Sequence, residues 1–140
     1  MNEPGLIRDL LTSSRTIAVF GYSARPERPS NSVSRTLRAH GYRVIPVNPA
    51  LRGEIVEGER SYLRLVDIPK DADVGFVDVF RRGEYLDAVV DDALAAGIKA
   101  MWFQLDLGNV GAAERAEARG MRVVWDRCTA VELRRLERSA

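Results

Sequence analysis

The sequence predicts a three-layer α/β domain built on a doubly wound parallel sheet of about five strands, in the order 3-2-1-4-5 counted along the chain. Short apolar runs without polar alternation, the mark of strands buried on both faces, are separated by stretches of helical periodicity. Strand and helix patterns alternate along the whole chain, which favours a parallel sheet covered on both sides. The first apolar run, Thr16–Phe20, ends at Gly21, and a polar loop then leads into a helix start.

Residues 4–14 open with a short amphipathic helix that places Leu6, Ile7, Leu10 and Leu11 on one side. The first strand covers 16–20. A helix follows from Ser30 to Ala39, introduced by Pro29, carrying Val33 and Leu37 four apart and stopped at His40-Gly41. Arg43–Val47 is the second strand, and its Pro46 is expected near the strand end, where pairing stops. Residues 49–72 read as a long irregular connection with a short structured piece near Tyr62–Val66. Asp73–Phe80 is the third strand. The helix over 83–96 buries Leu86, Val90, Ala93 and Leu94 and closes at Gly97. Lys99–Phe103, a helix from Asn109 to Arg119, Arg122–Trp125 and a last helix from Thr129 to Arg138 complete the alternation. No internal repeat or linker interrupts it, so residues 1–140 read as one domain.

Composition narrows the function. The 140 residues carry a net charge of +1, with 46% hydrophobic and 29% charged residues, which suits a globular domain and lacks the basic footprint of a nucleic-acid binder. A single cysteine, Cys128, excludes an internal disulfide. No apolar run approaches the ~18 residues of a membrane span, and the N-terminus lacks a signal-peptide pattern. A cytoplasmic protein without membrane or nucleic-acid partners is expected.

In a sheet of this kind ligands bind beyond the carboxyl ends of the strands, here Gly21–Ser32, Val47–Arg52, Asp78–Arg82, Gln104–Gly108 and Asp126–Cys128. The Gly21–Ser32 segment has the build of a phosphate site, because a helix start presents unpaired N–H groups to an anion. Ser30 is expected to cap that helix, with Asn31 and Ser32 adding donors and Arg25 and Arg28 adding charge. Gly21 is the only glycine of the loop, so the G-x-G-x-x-G dinucleotide spacing is missing. After the second strand an NAD site needs a carboxylate for the ribose hydroxyls, whereas the chain reads Val47-Asn48-Pro49-Ala-Leu-Arg52. Asn48 and Arg52 suit a ribose bearing an extra phosphate. NADP meets that description, as do other phosphorylated nucleotides.

Four segments together carry a resemblance: Gly21-x-Ser23-x-x-Pro26-x-Arg28-Pro29-Ser30, Gly41-Tyr-Arg-Val-Ile-Pro-Val-Asn48-Pro49, Asp78-Val-Phe80-Arg81-Arg82 and Asp126-Arg127-Cys128. In this order the chain, over residues 14–136, resembles the stand-alone bacterial CoA-binding domain proteins. That family is similar to the N-terminal domain of the succinyl-CoA synthetase α subunit. The resemblance implies a Rossmann-like fold that holds coenzyme A (CoA) across the strand ends. Phosphates are then expected over the turn that includes Gly21, Tyr22, Ser23, Arg25, Arg28, Ser30, Asn31 and Ser32. The adenosine is expected near Asn48, Pro49, Arg52, Phe80 and Arg81.

Relatives often follow Arg-Cys with a Glu-His pair, but here Glu132 precedes Leu133. The larger synthetases carry a phosphorylated histidine and a nucleotide-grasping module, and no counterpart of either is expected here, where His40 is the only histidine. His40 is expected to serve the last carbonyls of its helix. Cys128 lacks a base to activate it, no metal-ligand spacing occurs, and Asp91-Asp92 reads as a solvated face. The leading expectation is a non-catalytic protein that binds CoA or an acyl-CoA as a carrier or sensor. The alternative is a small NADP-linked oxidoreductase or another nucleotide-binding regulatory module.

Overall fold

The computed structural model describes residues 1–107 and 109–139. Its elements are α1 (Leu6–Ser13), β1 (Thr16–Phe20), α2 (Pro29–Ala39), β2 (Arg43–Val47), β3 (Ile55–Val56), β4 (Glu59–Arg60), β5 (Val74–Val79), α3 (Leu86–Ala95), β6 (Ala100–Phe103), α4 (Val110–Ala118), β7 (Arg122–Trp125) and α5 (Thr129–Ser139). The main sheet runs β2-β1-β5-β6-β7, and all its pairings are parallel. The expected three-layer, five-stranded parallel architecture is present.

The strand order differs from the expected 3-2-1-4-5. Counted over the five long strands it is 2-1-3-4-5, because the third long strand, β5, pairs with β1 rather than lying outside β2. The place outside β2 is taken by Tyr62 alone, in a single parallel bridge to Val47. The Tyr62 N–H donates to Pro46 O at 3.0 Å, and the Asn48 N–H donates to Tyr62 O at 2.9 Å. The flanking residues, Arg60-Ser61 and Leu63-Arg64, offer too short an apolar run to extend the pairing.

The same bridge explains Pro46. It is the penultimate residue of β2, near the strand end as expected, and it still pairs in register with Val19. Its missing N–H faces the outer edge, where only one bridge forms, so no ladder bond to β1 is lost.

Side chains alternate between two cores. Ile17, Val19, Phe76 and Trp102 point towards α1, α2 and α5, while Ala18, Val77, Val79, Met101 and Phe103 point towards α3 and α4. Each fully buried large side chain contributes roughly 1.5–3 kcal/mol. Phe76 and Trp102 stack at 5.4 Å between ring centroids.

The 49–72 connection is more ordered than its sequence suggests. It holds the antiparallel β3–β4 hairpin, which turns at Glu57 and Gly58 with φ of 50° and 78°, the positive pair of a type I′ turn. A short 3-10 turn at Leu65–Asp67 follows. Asp92 of α3 holds that turn, accepting from Leu65 N–H at 2.7 Å and Val66 N–H at 3.2 Å. Asp92 is therefore a clamp, not part of a solvated face; only the fold brings unpaired N–H groups to it. No helix among the described residues is long and apolar enough to cross a membrane.

Candidate functional site

The site starts where β1 ends. Gly21 has φ +84°, and its N–H donates to Val47 O at 2.9 Å. A Cβ there would meet Arg81 Cγ and Phe80 O, each at 3.1 Å. Glycine is thus required twice, for the backbone turn and for the close approach of the β5 end.

The following loop is bonded to its own helix. The Ser23 N–H donates to Ser30 Oγ at 3.0 Å, and the Arg25 N–H to Ser23 Oγ at 3.2 Å. The Asn31 amide donates to Ser23 O at 2.9 Å, and the Asn48 amide to Tyr22 O at 2.8 Å. Ser30 is not the helix cap. Arg28 holds the cap position without a side-chain bond, and Pro29 opens the helix. Proline, with φ preset and no N–H to satisfy, suits that first position and moves the boundary one residue earlier. The buried Ser30 oxygen fastens the loop instead. The Asn31 N–H is held by Arg28 O at 3.0 Å, so among the described residues the Ser30 N–H is the first-turn donor left for an anion.

Above this loop lies a cavity of about 610 Å³. The loop contributes Gly21, Ser23, Arg25, Arg28, Pro29 and Ser30; Asn48 comes from the β2 end. Phe80, Arg81 and Arg82 come from the β5 end, and Tyr85 and Leu107 complete the wall. Among the described residues its charged lining is Arg25, Arg28, Arg81 and Arg82, with no carboxylate. Arg25 has an exposed ion pair with Glu27 at 2.8 Å, a contact that solvent weakens.

A second cavity of about 720 Å³ adjoins it, between α3 and the Leu63–Val66 segment. Phe20 and Pro49 line one end; Leu63, Arg64 and Val66 form one wall. Ala88, Val89, Asp91, Asp92 and Ala95 of α3 form the other. Arg81 and Tyr85 line both cavities. The Arg81 guanidinium donates to Asn48 Oδ1 at 3.4 Å, a long bond that joins the β5 and β2 ends.

Of the residues expected in the site, Gly21, Ser23, Arg25, Arg28, Ser30, Asn48, Phe80 and Arg81 converge on the first cavity, and Pro49 on the second. The remaining four line neither. Tyr22 is fully buried, with its hydroxyl accepting from Arg38 at 3.2 Å. Asn31 is buried beneath the loop that it holds. Ser32 is exposed and donates to Pro29 O at 3.2 Å. Arg52 is exposed beyond the β2 end. The Arg82, Tyr85, Leu107 and Leu63–Val66 contributions were not anticipated as ligand contacts. Only the Arg81-Arg82 doublet had a sequence signal, since the others depend on how the connections fold back. Gly108, the limit of one expected rim segment, lies outside the described residues.

Asp78 was expected on the rim and is fully buried. Its carboxyl accepts from Gln104 Nε2 at 2.5 Å and from the Thr129 hydroxyl at 2.8 Å. Burial pushes its pKa up to about 7, against the opposing effect of those two bonds. Asp78 lines neither cavity; it ties β5 to the end of β6 and the start of α5. His40 ends α2 on the far side, with Nδ1 at 2.8 Å from Thr36 O and its other nitrogen against Glu137. Cys128 is half-buried against the core.

Known proteins match this arrangement. A relative in Bacillus subtilis, YneT, is 36% identical over 125 residues, covering 89% of this chain and 90% of that protein. The solved structure of cell-free ID.343 from Thermus thermophilus superposes with a TM-score of 0.86 at 37% identity, covering 93% and 96% of the two chains. The dinucleotide forming acetyl-coenzyme A synthetase 1 of Ca. Korarchaeum cryptofilum, in its apo form, matches with a TM-score of 0.66 at 26% identity. That match covers 82% of this chain but 26% of the synthetase chain. The sequence profile of the CoA binding domain spans residues 15–134, and the chain belongs to that family.

Proposed function

We propose that this protein binds coenzyme A or an acyl-CoA at the carboxyl ends of its strands, as a non-catalytic carrier or sensor in the cytoplasm. One observation carries the reading: a cavity lined by four arginines, with no carboxylate among its described residues, opens beside an apolar one, with Arg81 shared between them. A ligand with a central pyrophosphate and a less polar arm fits both halves. The pyrophosphate lies against the Ser30 N–H, Ser23 and the arginines, where charge-assisted bonds are strongest. The adenosine lies between Pro49 and Arg81. Family membership and the synthetase match support the same ligand class. The non-catalytic part of the reading draws support from His40, which is held at the far end of α2.

A thermal-shift panel with CoA, acetyl-CoA, NAD and NADP tests this. A ligand at ~100 times its Kd stabilises the fold by about 2.7 kcal/mol, which raises Tm by several degrees. CoA or acetyl-CoA is expected to give that shift and NAD none, because the β2 end offers Asn48 where a ribose needs a carboxylate. A larger shift with NADP than with either CoA or acetyl-CoA contradicts the proposal and favours the oxidoreductase alternative.

A further inference from the structure

We infer that Arg64, on the wall of the apolar cavity, is the residue that reads the phosphomonoester on the ligand's ribose. The inference rests on the CoA reading and assigns a specificity determinant within it. The charged side chains of that cavity are Arg64, Arg81, Asp91 and Asp92. Both carboxylates are engaged: Asp91 accepts from Arg115 at 2.9 Å, and Asp92 holds the Leu65 and Val66 N–H groups. Among the described residues Arg64 has only a distant approach to Asp67, at 3.8 Å, and its side chain is 68% exposed. It can therefore swing towards an incoming anion without breaking a good bond.

Position agrees with charge. Arg64 follows the Tyr62 bridge that covers the outer edge of β2, so it stands on the same side of the cavity as Pro49. Arg81 lines the same cavity and is shared with the pyrophosphate cavity, its guanidinium 3.4 Å from Asn48 Oδ1. A ribose between Pro49 and Arg81 then has one cation for the pyrophosphate side and another for its own phosphate. Arg52, which the residue pattern after β2 suggests for this task, lines neither cavity. A guanidinium matches a dianionic phosphomonoester in a two-pronged geometry that an ammonium cannot copy.

Calorimetry of the full chain with CoA and dephospho-CoA tests the assignment. The wild-type protein is expected to prefer CoA by about ten- to 150-fold, the range of a charge-assisted contact. Arg64→Ala is expected to lose that preference while its dephospho-CoA affinity stays within about twofold of wild type. Arg52→Ala is expected to keep the preference, and Arg64→Lys to recover part of it. Unchanged melting temperatures show that the exposed substitutions leave the fold intact. If Arg64→Ala still prefers CoA, or the wild type binds both ligands equally, the assignment to Arg64 is overturned. If the wild type binds neither ligand, the CoA reading itself falls.

Discussion

Replacing Arg81 with alanine is expected to weaken CoA binding by about ten- to 150-fold, the range set by one charge-assisted phosphate contact of roughly 1.5–3 kcal/mol. Arg81 is one of two residues that line both cavities, and the other, Tyr85, carries no charge to offer a phosphate. Its stem packs over Gly21, where a Cβ would meet Arg81 Cγ at 3.1 Å, and its guanidinium reaches Asn48 Oδ1 at 3.4 Å, so the side chain is held at the end of β1 before a ligand arrives. Preorganisation of this kind limits the ordering cost of binding. Arg81→Lys restores charge but not the fork, and recovers only part of the affinity. The stability change is expected to stay near 1 kcal/mol, because the side chain is half-buried rather than core. Titration calorimetry and urea unfolding on the same samples separate the two effects. An Arg81→Ala protein that folds and binds CoA with wild-type affinity removes Arg81 from the site.

The second large effect concerns pH. Asp78 has a pKa raised from 3.8 to about 7 by burial. In the unfolded chain the carboxyl ionises near pH 4, whereas in the fold it holds its proton to about pH 7. The unfolded state therefore releases the proton first, and stability falls as pH rises between those values. Below the window the group costs nothing; above it the loss reaches a plateau of at most about 4 kcal/mol. Asp78→Asn removes the titration and keeps the shape, with its carbonyl accepting from Gln104 and its amide donating to the Thr129 oxygen. The variant is expected to be more stable than wild type at pH 8, and the difference is expected to shrink towards pH 4. Urea unfolding across that range measures it. A difference between the two proteins that does not change with pH contradicts an ionisable Asp78 in the fold.

Local signals account for most of what the sequence disclosed. Helix ends at Gly41, Gly97 and Gly120 were legible because glycine with positive φ stops a helix by backbone geometry alone. The five strands of the main sheet were legible because they are largely buried on both faces. Strand order was not, since it depends on whether the segment after β2 pairs outside that strand or beside β1. The long ladder forms beside β1 and only the single Tyr62 bridge forms outside β2, and no local periodicity separates those two outcomes. The Gly21–Ser32 loop was legible as a strand–glycine–helix unit, yet which of its side chains turn inward to hold it was not. Ser30 looks like a cap until Pro29 is seen to open the helix, and Asn31 looks like a ligand contact until its amide is found beneath Ser23. Leu63–Val66 became a cavity wall only because Asp92, far along the chain, anchors its N–H groups. Asp78 shows the same limit, because a carboxylate at a strand end reads as rim until Gln104 and Thr129 close over it.

The most direct measurement is a crystal structure of the full chain with CoA bound. The pyrophosphate is expected within hydrogen-bonding reach of the Ser30 N–H and the Arg81 guanidinium, with the adenine between Pro49 and Arg81. Well-defined CoA density elsewhere, with neither Ser30 nor Arg81 in contact with a phosphate oxygen, contradicts this site.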